Sequence, residues 1–440
     1  MVRTRESLQE EYRQVTSRSR RQWEAAKAHL PGGVIKGAYW NSPYPIFMDR
    51  GEGCYLWDLD GRRYVDFANH HTAMILGHSH PDVIASVRRE TERGMGLGAP
   101  TTMEVEIAEE LTRRFPSVDK VRFTNSGTES SIHVTRLARA VTGRPLVAKF
   151  EGAYHGSLDA LEISTGPPIN EAGPPDGPTP VASWPGMSPG SEENVVILPY
   201  SQPETVELIL REHRDDVAAV FFDGKPGMLD VPHEFAGTLR NLTSELGMLM
   251  VMDEIVSFRV GYEGYQGLVG VKPDITMLGK IVGGGFPGSA IGGRAELMDV
   301  FDTTQGDLRI NQSGTFSGNN FTLAAGLATL RALTPAVYKH LDLLREQLHH
   351  GLVETFARAR VPCQVLSAGS MVNLFLTDRP VRDYRSAATA DEDLFSRIQM
   401  AMALKGYYLG GGSMNMILSA PMEDAHVDGL VGAMEEVLKE

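Results

Sequence analysis

Apolar positions in the middle of the chain follow two alternating periods. Three- and four-residue spacing predicts helices over Val83–Met95, Thr102–Phe115 and Ser130–Thr142, the last stopped by Gly143. Short, nearly continuous apolar runs predict buried strands at Val121–Thr124, Leu146–Phe150, Val195–Leu198, Val217–Phe222, Met248–Met252, Ile275–Leu278 and Ser289–Gly292. Strands that read as unbroken apolar runs between helices point to a mostly parallel sheet covered on both faces, an α/β fold. A further helix runs from Phe321 to about Leu333, and the chain closes on a helix from His426 to Leu438.

The ends of the chain read differently. Glu6–Leu30 is a charged helix with sparse apolar positions, expected to lie on a partner surface or in solvent and closed by Pro31-Gly32-Gly33. Gly53–Gly61 alternates like a hairpin around an Asp60-Gly61 turn. Gly166–Gly190 is dense in Pro and Gly and has no apolar period; a loop of that length inside a domain is functional or disordered. The expected organisation is a large domain over 61–325 and a smaller α+β domain over 326–440, to which the N-terminal segment 1–60 contributes.

Composition sharpens this picture in three places. The 440 residues carry a formal net charge of -14, which disfavours a polyphosphate partner such as nucleic acid. Two cysteines, Cys54 and Cys363, build neither a disulfide framework nor a cysteine metal motif, so a reducing, cytoplasmic setting is expected. No apolar run is long enough to span a bilayer, and Arg20-Arg21 is not followed by one, so no membrane or export segment is expected.

Three strand ends carry candidate chemistry. Thr124-Asn125-Ser126-Gly127-Thr128-Glu129 lies between a strand and a helix, where free backbone N–H groups and two hydroxyls suit an anion; taken singly, a simple N-cap explains it as well. Asp253-Glu254 ends an apolar strand, where α/β proteins bind ligands. Lys280 follows another strand and precedes Gly283-Gly284-Gly285. A lysine in an apolar pocket loses its proton readily, as an imine-forming amine must. Together these are a phosphate cradle, an acid for a pyridine nitrogen and an amine for an aldehyde, which is the set pyridoxal 5′-phosphate requires. His70, His71, His78 and His80 match no helical metal-ligand spacing, so no metal is expected, and Lys280 with Asp253 argues against a catalytically silent cofactor protein.

At these residues the chain resembles the class III aminotransferases, which are fold type I pyridoxal phosphate enzymes, and within them the glutamate-1-semialdehyde aminomutases and β-phenylalanine aminotransferases. The resemblance is carried by Pro31-Gly32-Gly33, Asp58-Leu59-Asp60-Gly61, Gly77-His78-Ser79-His80-Pro81, Phe123 to Glu129, Gly152-Ala153-Tyr154-His155-Gly156, Asp253-Glu254-Ile255, Leu278 to Gly285 and Ser313-Gly314-Thr315-Phe316. It implies that Lys280 is the Schiff-base lysine and proton shuttle, and that Asp253 pairs with the pyridinium. It also implies that Ser126, Gly127 and Thr128 hold the phosphate, that Tyr154 stacks on the ring, and that Glu129 lies near the site. Thr315 would reach the cofactor of a neighbouring subunit, which implies a homodimer with shared sites.

Two departures bear on the substrate. Where relatives have Glu-Pro-Val, this chain has Asp223-Gly224-Lys225-Pro226; where many read Gly-Phe-Arg, it has Ser257-Phe258-Arg259 with one residue fewer. The stretch where relatives often carry a carboxylate-binding arginine reads Gly410 to Asn415, and an N-terminal position that holds arginine in some β-amino-acid members is Lys36, followed by Tyr39 and Trp40. The expectation is a transaminase whose donor, an amine or β-amino acid with a bulky apolar part, is contacted by Lys36 and Trp40; the rival reading is that Arg259 or a backbone amide binds the carboxylate and nothing has changed. An aminomutase or racemase of the same fold is the alternative, because Gly166–Gly190 falls where aminomutase-like members carry a gating loop.

Overall fold

The computed structural model describes residues 2–304, 310–410 and 415–440; part of the Gly410–Asn415 stretch, positions 411–414, lies outside them. The chain forms two compact units. One comprises residues 1–81, 335–381 and 389–440; the other comprises 82–334 and the short piece 382–388. The change-overs at 81/82 and 334/335 fall further along the chain than the expected 60/61 and 325/326.

The first unit opens with two helices in place of the single expected one, Arg5–Val15 and Ser17–Ala26. They break at Thr16, whose buried hydroxyl turns back on the Tyr12 carbonyl at 2.5 Å and meets the Tyr44 hydroxyl at 3.0 Å. The helices are not left to solvent: Leu8 and Tyr12 are buried, and Arg5 pairs with Asp393 at 2.8 Å. The hairpin follows as an antiparallel meander, β1 (Met48–Glu52), β2 (Tyr55–Asp58) and β3 (Arg63–Asp66). After β3 comes an unusual turn: Asn69, His70, His71 and Thr72 all have positive φ, from 46° to 77°. Asp66 steadies its start by accepting from the amides of Ala68 and Asn69, and its other oxygen meets His78 at 2.8 Å.

The second unit is built on the expected sheet. Its strands are β4 (Lys120–Thr124), β5 (Leu146–Phe150), β6 (Val195–Leu198), β7 (Val217–Phe222), β8 (Leu249–Asp253), β9 (Ile275–Gly279) and β10 (Ser289–Gly293). Their order is β4-β10-β9-β8-β7-β5-β6, parallel throughout except for β10, which runs against both its neighbours. Every residue of β6 to β10 is buried, which is why those strands read as unbroken apolar runs. Fully burying a Val, Leu, Ile or Phe side chain contributes roughly 1.5–3 kcal/mol, so these strands fix the sheet before any site residue is considered. The chain then re-enters the first unit with the strands β11 (Gln364–Ala368), β12 (Met371–Phe375), β13 (Tyr407–Tyr408) and β14 (Asn415–Ile417) and the helices Pro335–Ala359, Glu392–Leu404 and Asp424–Lys439. β13 adds in parallel to β3, while β11, β12 and β14 form a separate antiparallel sheet. No described helix is long and apolar enough to cross a membrane.

Candidate active site

The second unit gathers its candidate groups at the carboxyl edge of the sheet. β7 pairs with β8 through Phe222 and Met252, and β8 with β9 through Asp253 and Met277, so Asp223, Asp253 and Lys280 leave neighbouring strand ends. Such an edge collects ligands because the helices that follow aim their free N–H groups at it.

Asp253 closes β8 and caps the short helix behind it: Oδ1 accepts from the Ile255 amide at 3.0 Å, while Oδ2 lies 2.8 Å from His155 Nδ1. Both side chains are buried, and His155 Nε2 has no hydrogen-bond partner among the described residues. Sequence reasoning missed His155 as an individual residue. It lies inside the quoted Gly152–Gly156 motif, but nothing local links it to an aspartate 98 positions away. The adjoining Glu254 is a structural residue. Burial pushes its carboxyl up, and it accepts from the Ser257 hydroxyl, the Tyr265 and Gln266 amides and the Gln266 side chain.

The anion-site expectation falls on the start of helix Gly127–Thr142. Ser126 caps it by accepting from the Glu129 amide at 3.2 Å. Glu129 in turn accepts from the backbone and side-chain amides of Asn125, which holds the loop in shape. A Cβ on Gly127 would stand 2.4 Å from Ile255 Cδ1, so the turn packs directly on the segment after Asp253. Thr128 Oγ1 accepts from the Ser157 amide at 3.1 Å, tying this helix start to the Tyr154–His155 turn. Tyr154 presents an exposed ring there.

Lys280 follows β9 with φ 50°, a conformation that is strained for a side-chain-bearing residue. The turn behind it is tight: Gly284 has φ 58°, and a Cβ there would lie 2.3 Å from the Ala325 carbonyl carbon. Thr315 is exposed in the turn before helix Asn320–Ala332. Lys36 and Trp40 belong to the first unit, where the Lys36 ammonium sits 4.3 Å over the Tyr39 ring and Trp40 meets Trp23 at 5.7 Å. Arg259 is fully buried.

Beside Asp253 lies a second charged group. Asp223 pairs with Lys225 at 3.0 Å and accepts from the Tyr200 hydroxyl. Burial raises the Asp223 carboxyl, but Lys225, His155 and Tyr200 outweigh it and hold the group below its ordinary range.

An orphaned imidazole nitrogen behind a buried carboxylate, a hydroxyl-bearing helix start and a lysine at ends of strands in one sheet fit a phosphorylated pyridine aldehyde. The family model for class III aminotransferases matches residues 37–438. This chain belongs to that family. It is 39% identical over 437 residues to a glutamate-1-semialdehyde 2,1-aminomutase of Heliobacterium modesticaldum, covering 96% of this chain and 97% of that one. It superposes with TM-score 0.91 and 38% identity on an ω-transaminase of Sphaerobacter thermophilus, covering 96% and 97% of the two chains. A β-phenylalanine aminotransferase of Variovorax paradoxus matches with TM-score 0.87 and 31% identity over 98% and 96%. The class III aminotransferase is thus a fold type I enzyme, and its cofactor is pyridoxal 5′-phosphate.

Proposed function

We propose that the enzyme moves an amino group within one substrate molecule, as an aminomutase of the glutamate-1-semialdehyde type. The observation that carries the chemistry is the meeting of Asp253–His155, the Ser126–Thr128 helix start and Lys280 at one sheet edge. The choice of aminomutase is supported by the curated relatives, whose 36–39% identities over most of both chains outweigh the expected bulky-donor transamination. It is supported further by the Pro/Gly loop, whose backbone is hydrogen-bonded to itself and to Ser164, a frame that suits a cover over a retained intermediate.

When bound, the cofactor supplies a carbonyl that exchanges with the amine and a ring that withdraws electrons. Ser126, Gly127 and Thr128 receive the phosphate with N–H and O–H donors. Tyr154 would lie against the ring. Asp253, oriented by His155, would keep the pyridine nitrogen protonated. Lys280 Nζ would hold the cofactor and, once released from it, would move a proton to and from the substrate carbon that bears the amine. Glu129 serves by fixing Asn125 at the edge of the site.

A second reading, transamination of a bulky amine or β-amino acid against a keto acid, is favoured by the 0.91 TM-score to the ω-transaminase and by the Lys36–Tyr39–Trp40 cluster, which suits a carboxylate with an aromatic body. One experiment separates the two. The amine form of the enzyme is given glutamate-1-semialdehyde with no keto acid. Formation of the isomer with the amine on C1 and the carbonyl on C2 is expected. No isomer, together with steady turnover of an aromatic β-amino acid or aryl-alkyl amine with a keto acid, replaces the first reading by the second.

A further inference from the structure

The short piece 382–388 lies with the second unit although the chain on both sides of it belongs to the first. Asp383 starts a one-turn helix there by accepting from Ser386 N at 2.7 Å. The next two side chains both face the Pro/Gly loop. The Tyr384 hydroxyl donates to the Pro167 carbonyl at 2.9 Å. Arg385 divides its guanidinium between two partners. Nε and Nη2 each donate at 2.9 Å to the two oxygens of Glu151, and Nη1 and Nη2 donate to the carbonyls of Gly173, Ala172 and Pro174 at 2.8, 2.9 and 3.3 Å. Glu151 is buried, and this fork meets both of its oxygens.

These two partners are parts of different structures. Glu151 opens the Gly152–Gly156 turn that carries Tyr154 and His155. Carbonyls 172 to 174 belong to the loop 166–190; Ala172 O and Pro174 O also accept within the loop, from the Thr179 and Gly177 amides, and Arg385 adds the donor that Gly173 O takes from outside it. The base of the loop is tied to the same turn. The Gly152 amide donates to Ser164 O at 2.9 Å, and Thr165 Oγ1 donates to Ala153 O at 3.2 Å. Tyr384 also packs on the turn itself, since a Cβ on Gly152 would stand 2.6 Å from its ring.

We propose that Arg385 is a positioning residue that clasps loop 166–190 to the Tyr154–His155 turn, so that loop and turn open and close as one body. The consequence for intermediate retention rests on the aminomutase reading; the clasp itself does not. Arg385→Lys keeps a cation for Glu151 but cannot also span three carbonyls, and Tyr384→Phe removes only the hydroxyl bond to Pro167. Both are measured in the cofactor-loaded full chain by hydrogen exchange. Arg385→Lys is expected to speed exchange at the Ala172, Thr179 and Val181 amides at least about ten-fold, and to speed the Gly152 and Ser157 amides with them. Tyr384→Phe is expected to produce a smaller shift in the same two groups. In isomerisation assays the Arg385→Lys enzyme should release more doubly aminated intermediate per turnover. Unchanged exchange in both variants, or faster exchange in the loop alone, overturns the proposal. If no variant isomerises the substrate but loop and turn still loosen together, the clasp stands and only the aminomutase reading falls.

Discussion

Asp253 satisfies two demands with one carboxylate: one oxygen caps the helix after its strand, and the other is held by His155. The side chain therefore has one orientation before any ligand arrives, which is the preorganisation that electrostatic catalysis needs. Asp253→Asn preserves the shape and part of the capping but removes the charge. It should lower kcat by about 10²–10³ while the melting temperature moves little. A loss under about ten-fold, read from initial rates at saturating cofactor, would remove Asp253 from its assigned role. The strand-end positions of Asp253 and Lys280 were legible in the sequence because each ends an apolar run, and a strand end has a known place in a parallel sheet. His155 was not legible as a partner, because β5 and β8 come to one edge only through the sheet order, with β7 between them. Arg385 was hidden for the same reason: its contacts lie more than two hundred positions back along the chain.

At the scale of elements, strands buried on both faces declared themselves, since burial leaves them no polar face to confuse the period. What stayed illegible depends on single side chains acting on the backbone. The N-terminal helix breaks because one buried threonine hydroxyl competes for a helix carbonyl. The left-handed turn at Asn69–Thr72 has no sequence signature, as none of its residues is glycine. The Pro/Gly loop has a third such determinant at its base, Lys149 on β5. Its ammonium is fully buried and donates to the carbonyls of Leu161 and Ile163 at 2.7 Å and to Thr165 Oγ1 at 3.2 Å. Burial, with Lys225 nearby, pushes its pKa down to about 7. The unfolded chain then binds this proton more tightly than the folded one, so the lysine's contribution to stability is greatest above its ordinary pKa and is lost as pH falls toward 7. Relative to Lys149→Met, the parent should gain stability as pH rises from about 7 toward 10, measured by denaturant midpoints of both proteins. A difference that is flat or falls over that window would show that the three oxygens, and not burial, control the group.

For the whole molecule, the question is whether one chain makes a complete site. Thr315 and Phe316 are exposed on a turn of the second unit, and beside them runs an open groove of about 670 Å³ lined by Val105, Ala108, Phe123, Gln312 and Ser317. The exposed Val105 and Phe316 beside this groove suit a second copy, in which each Thr315 would complete the other's phosphate site. Two variants test this by complementation. Lys280→Ala should lose both turnover and the absorbance of the lysine-bound cofactor while keeping its fold, and Thr315→Asp should repel the phosphate that Thr315 would meet across the dimer. In a symmetric dimer with shared sites, a mixed pair of these variants places both lesions in one site and neither in the other. Co-expression from differently tagged copies should then restore activity in about one quarter of all sites at random pairing, although each variant alone is nearly inactive. Isolating the doubly tagged species should raise that to one site in two. If the doubly tagged dimer is as inactive as its parents, or if the parent enzyme is a fully active monomer at assay concentration, Thr315 serves no neighbour and the site is complete within one chain.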